Sequence, residues 1–281
     1  MSLRIGHIDY LNCVPFFHYL NTERSDDCII KGTPARLNTL LANGQLDVCP
    51  SSSFEYGRNW QDYLLLPDLS ISACGAVNSV LLFSHRPLTE LGRVPIALTG
   101  ESSTSVHLLQ ILLREYCDFA DLDLHRPASS VEDMIAAGAT GLLIGDRALK
   151  AVQSQLAPYV FDLGSLWQAF TGLPFVFALW IVRRDAVEKR GEEVACLQRR
   201  LRVGLDRALA DLPTLADKTA GRSWIRAAEL LAYWRAMSFV LDDAHLQGLM
   251  LFFRLAVKYH FLEEMPELNF FGRPFPLTPQ G

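Results

Sequence analysis

The sequence predicts an α/β protein of two lobes with a cleft between them, and three observations lead there. Short apolar segments, punctuated by Gly, Pro and hydroxyl residues, alternate with segments of helical spacing as far as Arg184. A unit of helix end, glycine, buried strand and polar turn occurs twice. Leu40 to Val48 leads into Ser51-Ser52-Ser53, and Met134 to Leu143 leads into Gly145-Asp146-Arg147. Two long apolar runs, Ala73 to Ser84 and Leu173 to Val182, bracket Pro87 to Thr171, as two crossings between lobes require.

Taken in order, Leu3 to Ile8 reads as a first strand. Pro15 then sits at a first helical position and opens a short helix, Phe16 to Leu20. Asp9 to Val14 is therefore a loop at the carboxyl end of a strand, where open α/β sheets hold ligands. Cys28 to Lys31 is a second strand, and Thr33-Pro34 caps and starts a helix that ends near Asn43-Gly44. Leu46 to Cys49 is a short buried strand. Tyr63 to Leu66 and Ala73 to Ser84 read as strands, and Arg86-Pro87 breaks the pattern.

The strand Val94 to Leu98 ends near Gly100 and runs through Ser102-Ser103-Thr104-Ser105 into a helix whose apolar stripe is Leu108, Leu109, Ile111, Leu112 and Tyr116. Beyond Arg184 the chain turns helical, over Asp185 to Leu212, Arg226 to Val240 and Asp242 to Leu262. The last of these carries core-facing residues at helical spacing and no chemistry. The Pro- and Phe-rich tail after Pro266 is expected to lie across the surface.

Composition narrows the function. The net charge is −5 with no basic block, which argues against a nucleic-acid partner. No apolar run reaches the ~18 residues a membrane span needs. Met1-Ser2-Leu3-Arg4-Ile5 enters a strand directly, so no signal peptide and a cytoplasmic protein are expected. The six cysteines (Cys13, Cys28, Cys49, Cys74, Cys117 and Cys196) are scattered without a C-x-x-C pair. Reduced thiols are expected, buried at Cys28, Cys49, Cys74 and Cys117, with no zinc site or disulfide frame.

The familiar nucleophile, phosphate-loop, dinucleotide and zinc-protease motifs are missing. The histidines are isolated. His7, inside the first strand, is a candidate to face the cleft, whereas His107 on a helix face reads as structural. The helix start at Ser102 to Ser105 is a ready anion site, because its first N–H groups are unpaired and hydroxyls stand beside them. One cap needs one hydroxyl, and here there are four. With them, Asn12, Ser51, Ser52, Ser53, Asn78, Ser79 and Asp146 lie at strand ends. Each alone is an ordinary turn or cap residue. Together they describe a cleft that donates hydrogen bonds to carboxylates and holds one ionisable acid. Such a cleft suits a small organic polyanion, as a substrate or as a bound solute.

Four segments resemble the chorismate dehydratases of the futalosine route to menaquinone. They are Tyr10-Leu11-Asn12-x-x-Pro15, Gly75 to Ser84, Ile144-Gly145-Asp146-Arg147-Ala148-Leu149 and Thr171 to Trp180, in the family's order between Arg4 and about Phe271. The resemblance implies a type-2 periplasmic-binding-protein-like fold. The first lobe would be built from residues 1–84 and 178–281, and the second from 85–177. It implies loss of water from chorismate to give 3-[(1-carboxyvinyl)oxy]benzoate, with no metal or organic cofactor, and it matches Asn12 to the family's active-site asparagine.

A sister enzyme, 1,4-dihydroxy-6-naphthoate synthase, shares the fold and binds its carboxylate substrate at the equivalents of Ser51-Ser52 and Thr104-Ser105. It has a catalytic histidine where this chain has Gly145, which favours the dehydratase over the synthase. A non-catalytic anion-binding protein is the rival of another class. On the dehydratase reading, one carboxylate of chorismate rests on Thr104, Ser105 and the helix start, and the other near Ser51-Ser52. Ser103, Asn78 and Ser79 complete the substrate-binding set. The base is Asp146 or the substrate's own side-chain carboxylate; the lack of a convincing histidine favours the second.

Overall fold

Apolar positions gather the strands into two sheets. The computed structural model describes residues 2–20, 27–221 and 224–272. In chain order the strands are β1 (Arg4–Ile8), β2 (Cys28–Gly32), β3 (Val48–Ser52), β4 (Tyr63–Ala73), β5 (Val80–Ser84), β6 (Ile96–Leu98), β7 (Leu124–His125), β8 (Thr140–Ile144), β9 (Tyr159–Asp162), β10 (Phe175–Arg183) and β11 (Met237–Ser238). The first sheet runs β11-β4-β10-β3-β1-β2 and the second β7-β6-β8-β5-β9. Strands β1, β2 and β3 are parallel, as are β6, β7 and β8, and β10 joins β3 and β4 antiparallel. β3 and β8 are buried along their whole length because helices cover both faces.

The helices are α1 (Val14–Leu20), α2 (Pro34–Ala42), α3 (Ser53–Asn59), α4 (Ser103–Ile111), α5 (Val131–Ala136), α6 (Gly145–Gln153), α7 (Leu163–Thr171), α8 (Arg184–Ala210), α9 (Leu212–Ala220), α10 (Ala227–Ala236) and α11 (Asp243–Lys258). Thr33 caps α2 through the Arg36 amide, with Pro34 in its first turn, as the sequence predicts. Phe16 and Phe17 of α1 pack on Trp180 of β10, with ring centroids 5.3 and 5.7 Å apart. One core runs through both lobes, and a smaller one, including Leu81, Phe83, Ile135 and Leu143, fills one face of the second sheet. Among the described residues no helix is long and apolar enough to cross a membrane.

Several boundaries differ from expectation. The run Ala73 to Ser84 is two strands, and β5 pairs with β8 and β9, so the second lobe begins before Val80 and not at residue 85. The first sheet resumes at Phe175, three residues ahead of the expected 178. Gly145-Asp146-Arg147 is the first turn of α6, not a loop. The helix that starts at Ala227 ends at Ala236, where Met237–Ser238 joins the sheet edge beside β4. Cys28 and Cys74 are exposed, whereas Cys13 is buried with Cys49. The tail packs inward as far as described: Asn269 is buried and its amide donates to the Tyr56 hydroxyl. The rest of that tail, from 273, lies outside the described residues.

The two crossings lie side by side, because Ala73 at the end of β4 pairs with Phe175 at the start of β10. The outgoing crossing, Cys74 to Ser79, turns at Gly75 (φ +117°) and Asn78 (φ +59°), a left-handed geometry that glycine and asparagine tolerate best. Asp162 holds it by accepting the amides of Val77 (3.1 Å) and Asn78 (2.6 Å) while also capping α7 through Ser165. The strands and helix starts of both lobes therefore meet around one space.

Candidate functional site

That space is a cavity between the lobes. Asn12, Ser52, Ser79, Ser102 and Ser105 supply its polar lining; Ile8, Ile71, Val77, Val80, Ile144 and Phe177 supply much of the rest. Apolar walls with a few convergent donors are the usual make-up of a small-molecule site.

Two serines define its chemistry. Ser52 ends β3 and caps α3, and its hydroxyl oxygen accepts from the Asn38 side-chain amide (3.0 Å) and the Glu55 amide (3.3 Å). Ser102 caps α4, and its oxygen accepts from the Ser105 amide (3.2 Å) and the Ser105 hydroxyl (3.1 Å). A serine hydroxyl has two lone pairs and one proton. Both lone pairs of each serine are occupied, so each can only donate to whatever enters the cavity. Two obligate donors thus face one space from opposite lobes. The start of α4 adds the positive end of its dipole, as does the start of α6 at Gly145.

Asn12 stands in a short 3-10 turn, Leu11–Cys13, directly after β1. Its Oδ1 is buried and has no hydrogen-bond partner among the described residues. Ser79, in the outgoing crossing, accepts from the Tyr233 hydroxyl at 2.9 Å. Ser52, Ser79, Ser105 and Asn12 therefore line one cavity, and Ser52 ends a strand instead of lying in a turn.

The other predicted residues lie elsewhere. Ser51 is buried, its hydroxyl finds no partner among the described residues, and it does not line the cavity. Ser53 donates to the Val176 carbonyl. The Thr104 hydroxyl oxygen accepts the Phe54 amide at 2.9 Å, so it ties α4 to α3 across the lobes instead of facing the ligand space. The Ser103 carbonyl accepts from His107 Nδ1 at 2.8 Å, and its side chain is absent from the lining. Asn78 is exposed on the far side of the crossing. Asp146 is half-buried outside the lining; its Oδ1 accepts the Leu11 amide at 3.0 Å, and burial raises its pKa.

His7 stays out of the cleft. It stacks on Phe17 (3.7 Å between centroids), and burial pulls its pKa down to about 4. His107 is likewise held to about 4 by burial, stacked on Phe54 at 3.8 Å. The substrate-binding set read from the sequence omits Ser102, which lines the cavity, although its hydroxyl counts among the four at the helix start. It also omits Tyr10, whose ring lies against Gly145 at the cavity edge.

Comparison with known proteins follows the same outline. The family profile described as menaquinone biosynthesis matches residues 3–258. A chorismate dehydratase of Thermus thermophilus is 35% identical over 263 residues, covering 88% of this chain and 93% of that protein. A chorismate dehydratase of Campylobacter jejuni is 30% identical over 192 residues, covering 66% and 70%. Among solved structures, a Candida albicans protein described as having the generic periplasmic-binding-protein fold aligns with a TM-score of 0.69 at 10% identity, over 98% of each chain. The fold is accordingly that of the periplasmic binding proteins, and the chain belongs to the menaquinone-biosynthesis family.

Proposed function

We propose that the protein is a chorismate dehydratase, a hydro-lyase that eliminates water from chorismate to give 3-[(1-carboxyvinyl)oxy]benzoate. The observation that carries this reading is the pair of obligate donors, Ser52 and Ser102, on opposite walls of one apolar cavity. Chorismate carries a carboxylate on its ring and another on its enolpyruvyl arm, so one molecule can engage both donors while its ring meets the apolar walls. The 35%-identical dehydratase, matched over nearly its whole length, supports the same reading.

In the reaction the C–H bond at the ring carbon bearing the ether breaks. Its electron pair is delocalised through the diene towards the ring carboxylate. Donors on that carboxylate strengthen as charge builds there, and so lower the barrier. The pair then returns to form the new ring double bond as the neighbouring C–O bond breaks. Proton and hydroxide leave as water, and aromaticity makes the step strongly downhill.

The proton goes to the substrate's own enolpyruvyl carboxylate, which the cavity need only hold against that hydrogen. No histidine lines the cavity, and the Asp146 carboxylate is turned to the Leu11 amide. Asn12, an amide with no useful basicity, orients the substrate or assists the departing hydroxyl. The synthase reading loses ground on sterics: a Cβ at position 145 would come within 2.7 Å of the Tyr10 ring, so no histidine fits there without displacing it. Incubating the purified protein with chorismate while recording proton NMR tests the proposal. Aromatic signals of the benzoate should grow in step with chorismate loss; intact chorismate after prolonged incubation overturns it.

A further inference from the structure

Resting on that reading, we infer that Asp146 is a positioning residue that docks the second lobe onto the Tyr10-Leu11-Asn12 turn, so that closing the cleft and orienting Asn12 are a single event. The turn belongs to the first lobe, yet both peptide groups of Leu11 are gripped. Its amide donates to Asp146 Oδ1 of α6 at 3.0 Å, from the second lobe. Its carbonyl accepts from the indole N–H of Trp234 on α10 at 2.8 Å, from the first. The Leu11 carbonyl belongs to the peptide that carries the Asn12 amide. Fixing it sets where the Asn12 side chain leaves the backbone.

A second set of contacts closes the same place. The Tyr10 hydroxyl donates to Glu101 Oε2 at 3.0 Å, and Glu101 in turn faces Arg147 at 3.5 Å, which also pairs with Glu132. The Tyr10 ring lies where any side chain at position 145 would sit, and Gly145 adopts φ +58°. A residue with a Cβ would clash with the ring and strain the backbone there. Tyr10 and Leu11 thus meet the second lobe at Glu101, Gly145 and Asp146. Asn12 is the member of the turn whose buried amide oxygen has no protein partner among the described residues.

Asp146 as base and Asp146 as clamp predict opposite outcomes for one substitution. Asp146→Asn keeps an oxygen of the same shape for the Leu11 amide but cannot take a proton. A clamp keeps kcat within about 3-fold of wild type in Asp146→Asn and lowers it about 10- to 100-fold in Asp146→Ala, as loss of one charge-assisted bond does. A base loses about 1000-fold or more in both. Hydrogen exchange of the Leu11 amide gives a readout independent of turnover: it should speed at least 10-fold in Asp146→Ala and stay protected in Asp146→Asn. Loss of activity in Asp146→Asn equal to that in Asp146→Ala, or unchanged Leu11 exchange in Asp146→Ala, overturns the inference. Failure of the wild type to consume chorismate would instead remove the dehydratase reading, and the exchange experiment would still stand.

Discussion

The two serine caps that face each other across the cleft look alike in sequence and differ in what surrounds them. On the first lobe, Ser52 leads into α3, whose Phe54 amide is already taken by Thr104 and whose Glu55 amide is taken by Ser52 itself. That lobe offers the ligand a hydroxyl and little else from the helix start. On the second lobe, Ser102 is joined by Ser105, and no acceptor is found among the described residues for the amides of Ser103 and Thr104. That lobe therefore offers the Ser102 hydroxyl beside Ser105 together with the dipole of a longer helix. The second lobe is the stronger anion holder. The ring carboxylate, which must accept the charge that develops in the transition state, belongs there.

The largest expected effect lies outside both caps. Asn12→Ala should lower kcat ~100-fold while leaving ligand binding measurable, as removal of one preorganised donor can. Unchanged turnover would take Asn12 out of the reaction. Next, Ser102→Ala should reduce kcat about 30-fold and Ser52→Ala should raise KM about 10-fold with a smaller change in kcat, within the range for hydrogen bonds to charged groups. The reverse order would place the ring carboxylate on the first lobe.

Gly145→Ala should lower kcat/KM about 10-fold, because the Tyr10 ring must shift and a strained φ costs ~1 kcal/mol or more. Full activity in that variant would show that the fit of Tyr10 against Gly145 is unimportant. Smaller again, Thr104→Val should change kcat/KM by no more than about 3-fold, the worth of a single neutral hydrogen bond. A larger loss would mean that Thr104 meets the substrate after all.

Stability offers a further contrast. His7 in the first lobe is buried and His107 at the lobe boundary is half-buried, and both pKa values fall from 6.5 to about 4 through desolvation. The unfolded chain binds protons in that window that the folded chain refuses. Stability is therefore full above pH 6.5 and is lost as pH falls towards 4. Denaturant titrations at stepped pH should show this acid limb, and His7→Phe should flatten part of it. An unchanged limb in that variant would assign the loss to other groups.

Much of this was legible in the residues. Thr33-Pro34, Gly44 and the strand–glycine–hydroxyl–helix pattern at 96–111 give the right elements because each rests on a local rule of capping or turn geometry. The join of the lobes was misread. Ala73 to Ser84 looks like one apolar run, and only Gly75 and Asn78, the residues that tolerate positive φ, mark the break. At the site, residue type was informative and direction was not. Ser51, Ser52 and Ser53 are chemically identical neighbours, yet one is sealed in the core, one lines the cavity and one bonds a backbone carbonyl. Which hydroxyl faces a ligand depends on strand pleat and on partners distant in sequence, such as Asn38. The role of Asp146 was hidden for the same reason: its partner, Leu11, is 135 residues away.

The claim on which the rest depends is that one dianion is held by Ser52 and Ser102 at once. Calorimetric titration of 3-[(1-carboxyvinyl)oxy]benzoate into the wild type, Ser52→Ala, Ser102→Ala and the double variant measures this directly. Each single change should weaken binding about 10-fold, and the two losses should combine additively to ~100-fold, because the serines hold different carboxylates. Unchanged affinity in either single variant would contradict it.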